Sequence, residues 1–436
     1  MKAILKNVGK VLLMVLFVPV EILLLLFGTA IWIRLPPPAS ALMTIPKLVY
    51  PNLANKAAIL YAVLFAVIAA VFLLNHYRHF LHSVFVKTVM CIFLVTLLFS
   101  LSSSLVYLGI LGTTKVEYTL NHPVPQSDGV GTLFRPEDRI CIDLAQVVKN
   151  QRPKVFKLYL PDGSKTPRDV VMYLAYGNWL ATDEKSVDYL VDDLTRHGYG
   201  VVVFTGKTRL DTDIVGMIQD IRAKVAFLKE NSREYCIGHL YLSGGSAGAN
   251  LALLTAYASS CPDYASDGLP ADLAVVDGVI AFYPVVDMIY NYDYFTEKTE
   301  KDRSILDRLG DSIFSMQDVN GAKSIRQSHL MVMKMLLGGG PDEGTFKHLY
   351  EISSPNRFLS PEAPPTLFIQ GAHDSMTPIE PTRGMFEDLK EMGADTAILE
   401  LPFTDHAFDM ILPSGSAVTI KVLSSIHVWL DMHRPQ

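Results

Sequence analysis

Leu242-Ser243-Gly244-Gly245-Ser246-Ala247-Gly248-Ala249-Asn250 is the stretch on which the reading of this chain turns. An apolar run from Leu240 to Ser243 enters it as a strand, and a helix-forming run from about Ala247 to Ala258 leaves it. Gly244-x-Ser246-x-Gly248 therefore sits at a strand–turn–helix junction, the setting in which G-x-S-x-G raises a serine out of the backbone as a nucleophile. The turn is sharp enough that neighbouring backbone passes close by, and a Cβ at Gly244 or Gly248 would collide with it. Beneath the serine, a helix N-terminus offers unpaired N–H groups and the positive end of a dipole to a developing oxyanion.

Outward from this junction, short apolar strands alternate with helices. Strands are expected at 155–160, 169–175, 200–204, 275–282, 365–370 and 396–401, with helices at 185–197, 214–230, 380–392 and 417–430. Such alternation implies an α/β fold with a mostly parallel sheet covered on both faces. One stretch interrupts it. Between Pro284 and Pro364 lies a helix-rich, Met- and aromatic-bearing insertion, placed at about 288–345 as a lid-like element.

A serine hydroxyl needs a positioned base, itself oriented by an acid. On such a sheet the chain order is serine, acid, histidine. Thr366-Leu367-Phe368-Ile369-Gln370 runs into Gly371-Ala372-His373-Asp374, placing Asp374 just past a strand's carboxyl end, where ligands bind on parallel sheets. The next strand runs into Thr404-Asp405-His406-Ala407-Phe408 and delivers His406 to the same edge. Asp287 is the rival acid, and His373 is read as structural. The expected constellation is thus Ser246, Asp374 and His406, drawn from three strand ends.

The soluble part, about 150–434, resembles the α/β-hydrolase superfamily. It is most similar to the esterase/lipase branch with hormone-sensitive-lipase-like and feruloyl- or acetyl-esterase-like enzymes. The resemblance rests on the serine stretch above, on Tyr283-Pro284-Val285-Val286-Asp287, and on the Asp374 and His406 loops. It implies Ser246 as nucleophile, Asp374 as acid and His406 as base. That branch usually carries His-Gly-Gly-Gly-Trp at its oxyanion loop, where this chain has Ala175-Tyr176-Gly177-Asn178-Trp179. The expected donors are then the N–H of Ala247 and that of Gly177 or Asn178. Asn tolerates left-handed backbone better than most residues.

The first quarter is of another kind. Residues 1–114 hold eight Lys/Arg and one acid, Glu21, leaving 30 basic and 43 acidic residues of the 38 and 44 in the chain. A positive apolar part thus precedes an acidic globular one, which argues against nucleic acid as a partner. Three transmembrane helices are expected, at 11–33, 57–74 and 88–112, with a linker over 113–153 and the catalytic domain over 154–436. A signal peptide competes for the first run, because Ala39-Ser40-Ala41 resembles a cleavage site. The run of 23 residues exceeds the usual hydrophobic core of a signal, roughly 7–15 residues. Five Lys/Arg against four on alternate loops lean toward an extracytoplasmic or luminal catalytic domain.

Four cysteines exclude a disulfide scaffold, and no Cys/His spacing suggests a metal. Cys236 and Cys261, at the two ends of the serine's strand–helix unit, are within reach of each other; two free thiols is the reading preferred to a disulfide. The expectation is a membrane-anchored serine hydrolase of lipophilic or acetyl esters, acting on a small-molecule or lipid ester without cofactor. An inactive binding protein on the same fold, or a serine peptidase, are the alternatives.

Overall fold

A computed structural model describes residues 18–25, 28, 41–78, 84–120, 139–148, 153–163, 165–266, 269–270, 273, 275–296, 325–410 and 415–434. Two long helices come first, α1 (Ala41–Arg78) and α2 (Val84–Thr113). Both are long and apolar enough to cross a membrane, with mean hydropathy of 2.0 over Tyr50–Val71 and 2.4 over Val84–Thr113. Leu, Ile and Val side chains such as Ile59, Val67, Leu73 and Val95 point outward and are exposed, as expected of helices whose surroundings are lipid rather than protein. Of the first expected span, only 18–25 and 28 are described, and they are helical. α1 begins at Ala41, not at Ala57. Asn52 and Asn55, ahead of the expected start, bond to the Phe408 and Gly415 carbonyls, contacts that a hydropathy profile does not register.

The sheet follows, with β1 (Glu117–Tyr118), β2 (Ile140–Asp143), β3 (Val155–Leu160), β4 (Arg168–Leu174), a separate hairpin of β5 (Tyr176–Gly177) and β6 (Leu180–Ala181), β7 (Gly200–Thr205), β8 (Ile237–Gly245), β9 (Gly278–Phe282), β10 (Thr366–Gly371) and β11 (Thr396–Leu401). The main sheet runs β1-β11-β10-β9-β8-β4-β7-β3-β2. Its six inner strands, β7 to β11 in space, are parallel, while β1, β2 and β3 join antiparallel. The segment expected to be a linker therefore supplies an edge strand at each side of the sheet. Two- and four-residue strands of mixed polarity carry no run long enough to show a period of two.

Strands β7, β9 and β10 are buried at every position, as parallel strands covered on both faces must be. One face packs on α4 (Ile214–Glu230), α5 (Ala247–Tyr257) and α9 (Ile379–Glu391); the other packs on α3 (Asp188–Arg196) and α10 (Ala417–Met432). The insertion contributes α6 (Met288–Thr296) and α7 (Ile325–Leu337), followed by α8 (Phe346–Ile352); residues 297–324 of it lie outside the described residues. Tyr50, Ala54, Tyr107 and Leu111 of α1 and α2 belong to the second core, beside α10. All four cysteines are free thiols. β8 occupies the middle of the sheet, so Ser246 emerges at its centre. The architecture is that of an α/β hydrolase.

Candidate active site

Ser246 caps α5 with φ 54° and ψ −116°, a left-handed backbone unusual for a residue with a side chain. Three glycines make room for it. A Cβ at Gly244 would lie 2.5 Å from the Gly248 carbonyl carbon, and one at Gly248 would lie 2.3 Å from the Leu174 oxygen. A Cβ at Gly245 would meet the Tyr283 hydroxyl at 2.7 Å. The strained turn is held from the neighbouring strand, where the Ser246 N–H donates to the Phe282 carbonyl at 2.9 Å.

The loops after β10 and β11 bring the other two residues to this point. His406 Nε2 lies 3.1 Å from Ser246 Oγ, and His406 Nδ1 lies 3.0 Å from Asp374 Oδ2. Asp374 is anchored by N–H donors from Met376 (3.0 Å) and Thr377 (2.8 Å) and by the Thr377 hydroxyl at 2.9 Å. With Nδ1–H donating to the carboxylate, Nε2 is left to accept from the serine hydroxyl. The two loops also fit closely: a Cβ at Gly371 would sit 2.3 Å from the Thr404 oxygen. Burial disfavours the imidazolium of His406, but the Asp374 carboxylate, with Asp405 and Asp409 behind it, outweighs burial and raises its pKa.

Asp287 does something else. Its carboxylate accepts from the Tyr290 N–H and the Asn356 amide, both at 2.9 Å, and caps the start of α6. His373 packs edge-on against Phe403 and does not line the cleft.

The altered oxyanion stretch folds as a tight hairpin. Gly177 pairs with Leu180, leaving Asn178 (φ 49°) and Trp179 (φ 56°) as a two-residue turn with both residues left-handed, the geometry of a type I′ turn. Trp179 is fully buried, and its indole N–H donates to Asn250 Oδ1 at 3.3 Å. Asn250 lies on α5, one turn beyond Ser246. Its amide also donates to the Val285 and Ser353 carbonyls. Arg209 closes the turn from outside, with its N–H on the Trp179 carbonyl and its Nε on the Asn178 carbonyl, both at 3.0 Å. Gly177, Asn178 and Ser246 all line one cleft of about 190 Å³.

Two groups in that cleft were not foreseen from the sequence. Asp409 is buried and accepts from the Tyr283 hydroxyl at 2.7 Å and the Tyr189 hydroxyl at 2.6 Å. Burial raises its pKa, against the pull of those two hydroxyls. The Tyr283 ring also stands edge-on to His406, with centroids 4.6 Å apart. The second group, His329, comes from α7 of the insertion. It is buried, its Nε2 lies 2.8 Å from Asn291 Oδ1, and burial followed by the nearby His406 lowers its pKa to about 3. Their signals were faint. Asp409 follows His406 by three residues, and His329 is a lone histidine in a helical run.

Three further side chains, Asp193, His197 and His427, bring possible metal-ligand atoms within 4.8 Å of one another. They lie beside the start of β7, at the opposite end of the sheet from Ser246. His427 Nε2 is 2.5 Å from Asp193 Oδ2, and the His197 Nδ1 contact to the Asp193 carbonyl is 2.8 Å, so these atoms already satisfy one another.

The BD-FAE family profile matches residues 156–389, more than half of the chain. The chain belongs to the BD-FAE family. The matched region holds Ser246 and Asp374 and stops short of His406. Among curated proteins it is similar to a probable carboxylic ester hydrolase, LipM, of Mycobacterium tuberculosis: 27% identity over 205 residues, 46% of this chain and 40% of that protein. Esterase LipQ of the same organism is 26% identical over 210 residues, 48% of this chain and 42% of that protein. The similarity spans about two fifths of each relative's own length. Among solved structures, Thermogutta terrifontis esterase 2, phosphonylated by sarin, aligns with TM-score 0.50 and 16% identity, over 73% of this chain and 100% of that one. That likeness speaks to the fold.

Proposed function

We propose that this chain is a serine hydrolase of carboxylic esters, held at a membrane by α1 and α2. The observation that carries the reading is the continuous line from Ser246 Oγ through His406 to Asp374, with contacts of 3.1 and 3.0 Å. His406 takes the hydroxyl proton as Oγ attacks the ester carbonyl, and Asp374 holds the imidazole in the required tautomer and stabilises its charge. The oxyanion is received by the N–H of Ala247, at the start of α5, and that of Gly177 or Asn178. His406 then passes its proton to the departing alcohol. Water, activated by the same imidazole, cleaves the acyl-enzyme and returns Ser246 to its starting state.

The cleft argues for a small acyl group. An apolar cavity of roughly 150 Å³ takes a benzene, so about 190 Å³ suits an acyl group of a few heavy atoms. Tyr173, Val187, Met376 and Met410 give it an apolar wall. The relatives named for ester hydrolysis support the reaction class. The two outward-facing apolar helices support the anchor, and with it a lipophilic alcohol part on the substrate.

Hydrolysis of p-nitrophenyl acetate by the full chain in detergent, with fluorophosphonate labelling alongside, tests this reading. Ser246→Ala should lose label and lower the rate on the order of 10⁴-fold or more. Unlabelled wild type, or undiminished hydrolysis by the alanine variant, would sink it. An inert binding protein on this fold would take no label.

A further inference from the structure

We infer that α1 and α2 are a positioning element of the site, clamping the loop that presents His406, so that the base is set only while the helix pair is docked. The inference rests on the serine-hydrolase reading above. The loop after β11 is strained on both sides of the histidine: Phe403 has φ 55° and Ala407 φ 53°. Non-glycine residues persist in that region only where their surroundings hold them. Here part of the surroundings comes from the apolar helices, beside the bonds that the loop after β10 makes to Thr404 and Asp405.

Asn52 of α1 is fully buried. Its Nδ2 donates to the Phe408 carbonyl, two residues beyond His406, and its Oδ1 accepts from the Ser416 hydroxyl at 2.6 Å. One turn later, Asn55 donates to the Gly415 carbonyl at 2.9 Å. On the other flank, Tyr107 of α2 places its hydroxyl 3.5 Å from Thr404 Oγ1 and its ring against Phe403.

The clamp has a short route to the imidazole. The Phe408 ring is buried edge-on against Tyr283 at 5.4 Å, and Tyr283 stands edge-on to His406. A polar side chain in an apolar helix is costly unless it is paired and used. Asn52 has both of its polar ends paired, one with Phe408 and the other with Ser416, the N-cap of α10.

The test uses the full chain in micelles or nanodiscs with p-nitrophenyl acetate, each rate divided by the number of sites titrated with a fluorophosphonate. Asn52→Leu is close in volume and loses both the N–H to Phe408 and the acceptor for Ser416. Its kcat per site should fall ten- to a hundredfold, the scale expected when a reacting group is displaced by about 1 Å, with KM within about twofold. The acid limb of kcat/KM should also move to lower pH as His406 drifts from Asp374. Ser102→Ala, on an exposed α2 residue bonded within its own helix, should leave all of these unchanged.

Wild-type kcat and an unmoved acid limb in inserted Asn52→Leu protein would overturn the clamp. If that variant fails to accumulate, Tyr107→Phe and Ser416→Ala each delete one hydroxyl and should lower kcat severalfold at constant KM; wild-type kcat in both overturns it equally. Ser246→Ala separates the two claims. Activity surviving there removes the serine reading and this inference together. Activity lost there but intact in the clamp variants removes the inference alone.

Discussion

The turn at Ser246 and the hairpin at Gly177-Asn178-Trp179 face each other across the cleft, and both force side-chain-bearing residues into left-handed backbone. They are held by different means. At the serine turn, Gly244 and Gly248 let backbone lie against backbone, and the fit is steric. At the hairpin, Trp179, Asn250 and Arg209 supply the hold, across tens of residues. One region is fixed by what is missing at Gly244 and Gly248, the other by what has been added. The comparison teaches that left-handed backbone can be held without glycines, provided side chains supply the constraint.

The largest expected effect lies on the serine side. Asp374→Asn should lower kcat by about 10⁴-fold, read with p-nitrophenyl acetate. The same variant tests the sign of the pH dependence. In the proposed mechanism neutral His406 is the base; its pKa is raised, so the acid limb of wild-type kcat/KM should fall above the ordinary histidine value of about 6.5. Removing the carboxylate should move that limb down. For stability the same shift acts in the opposite direction of pH. The His406–Asp374 contact stabilises the fold fully below the unfolded-state value, and this contribution is lost as pH rises through the folded-state one.

Next in size is the glycine fit itself. Gly248→Ala should cost about 1–3 kcal/mol in denaturant unfolding, because the new methyl would meet the Leu174 oxygen; a midpoint unchanged within error would show that the turn has slack. Smaller still is the hairpin's hold. Trp179→Phe keeps an aromatic ring and deletes the bond to Asn250, worth about 1 kcal/mol, or roughly fivefold in kcat. A rate equal to wild type would assign the hold to Arg209 instead. The smallest rate effect belongs to Asp287→Ala, which should cost about 1 kcal/mol of stability as a lost helix cap and leave kcat unchanged. A large fall in kcat there would reopen the choice of acid.

The same contrast explains what could be read in advance. The meeting of Ser246, Asp374 and His406 was legible because each follows an apolar strand, and strand ends on a parallel sheet share one edge. The elements at 214–230 and 396–401 were read to the residue because their apolar period and their length agree. The hairpin was not legible, since nothing near Trp179 in sequence announces Asn250. Nor were the edge strands at 117–118 and 140–143, whose partners lie elsewhere in the chain. Asp409 and His329 acquire their surroundings only through folding, from Tyr189 and Tyr283 in one case and from Asn291 in the other. The start of α1 at Ala41 was hidden for a related reason. Hydropathy measures a helix against lipid, and Asn52 and Asn55 of α1 are bonded instead to the Phe408 and Gly415 carbonyls.

α2 ends at Thr113 and β1 begins at Glu117. Three residues reach about 10 Å even when fully extended, and Glu117 and Tyr118 are already paired with Ile398 and Ala397 on β11, the strand that leads to His406. This is a leash too short for swinging. A hydrolase on a long flexible tether searches a volume and brings its site to the substrate. In the function proposed for this chain, the site stands at a fixed height above whatever holds its helices, so an ester would have to travel to it along that surface.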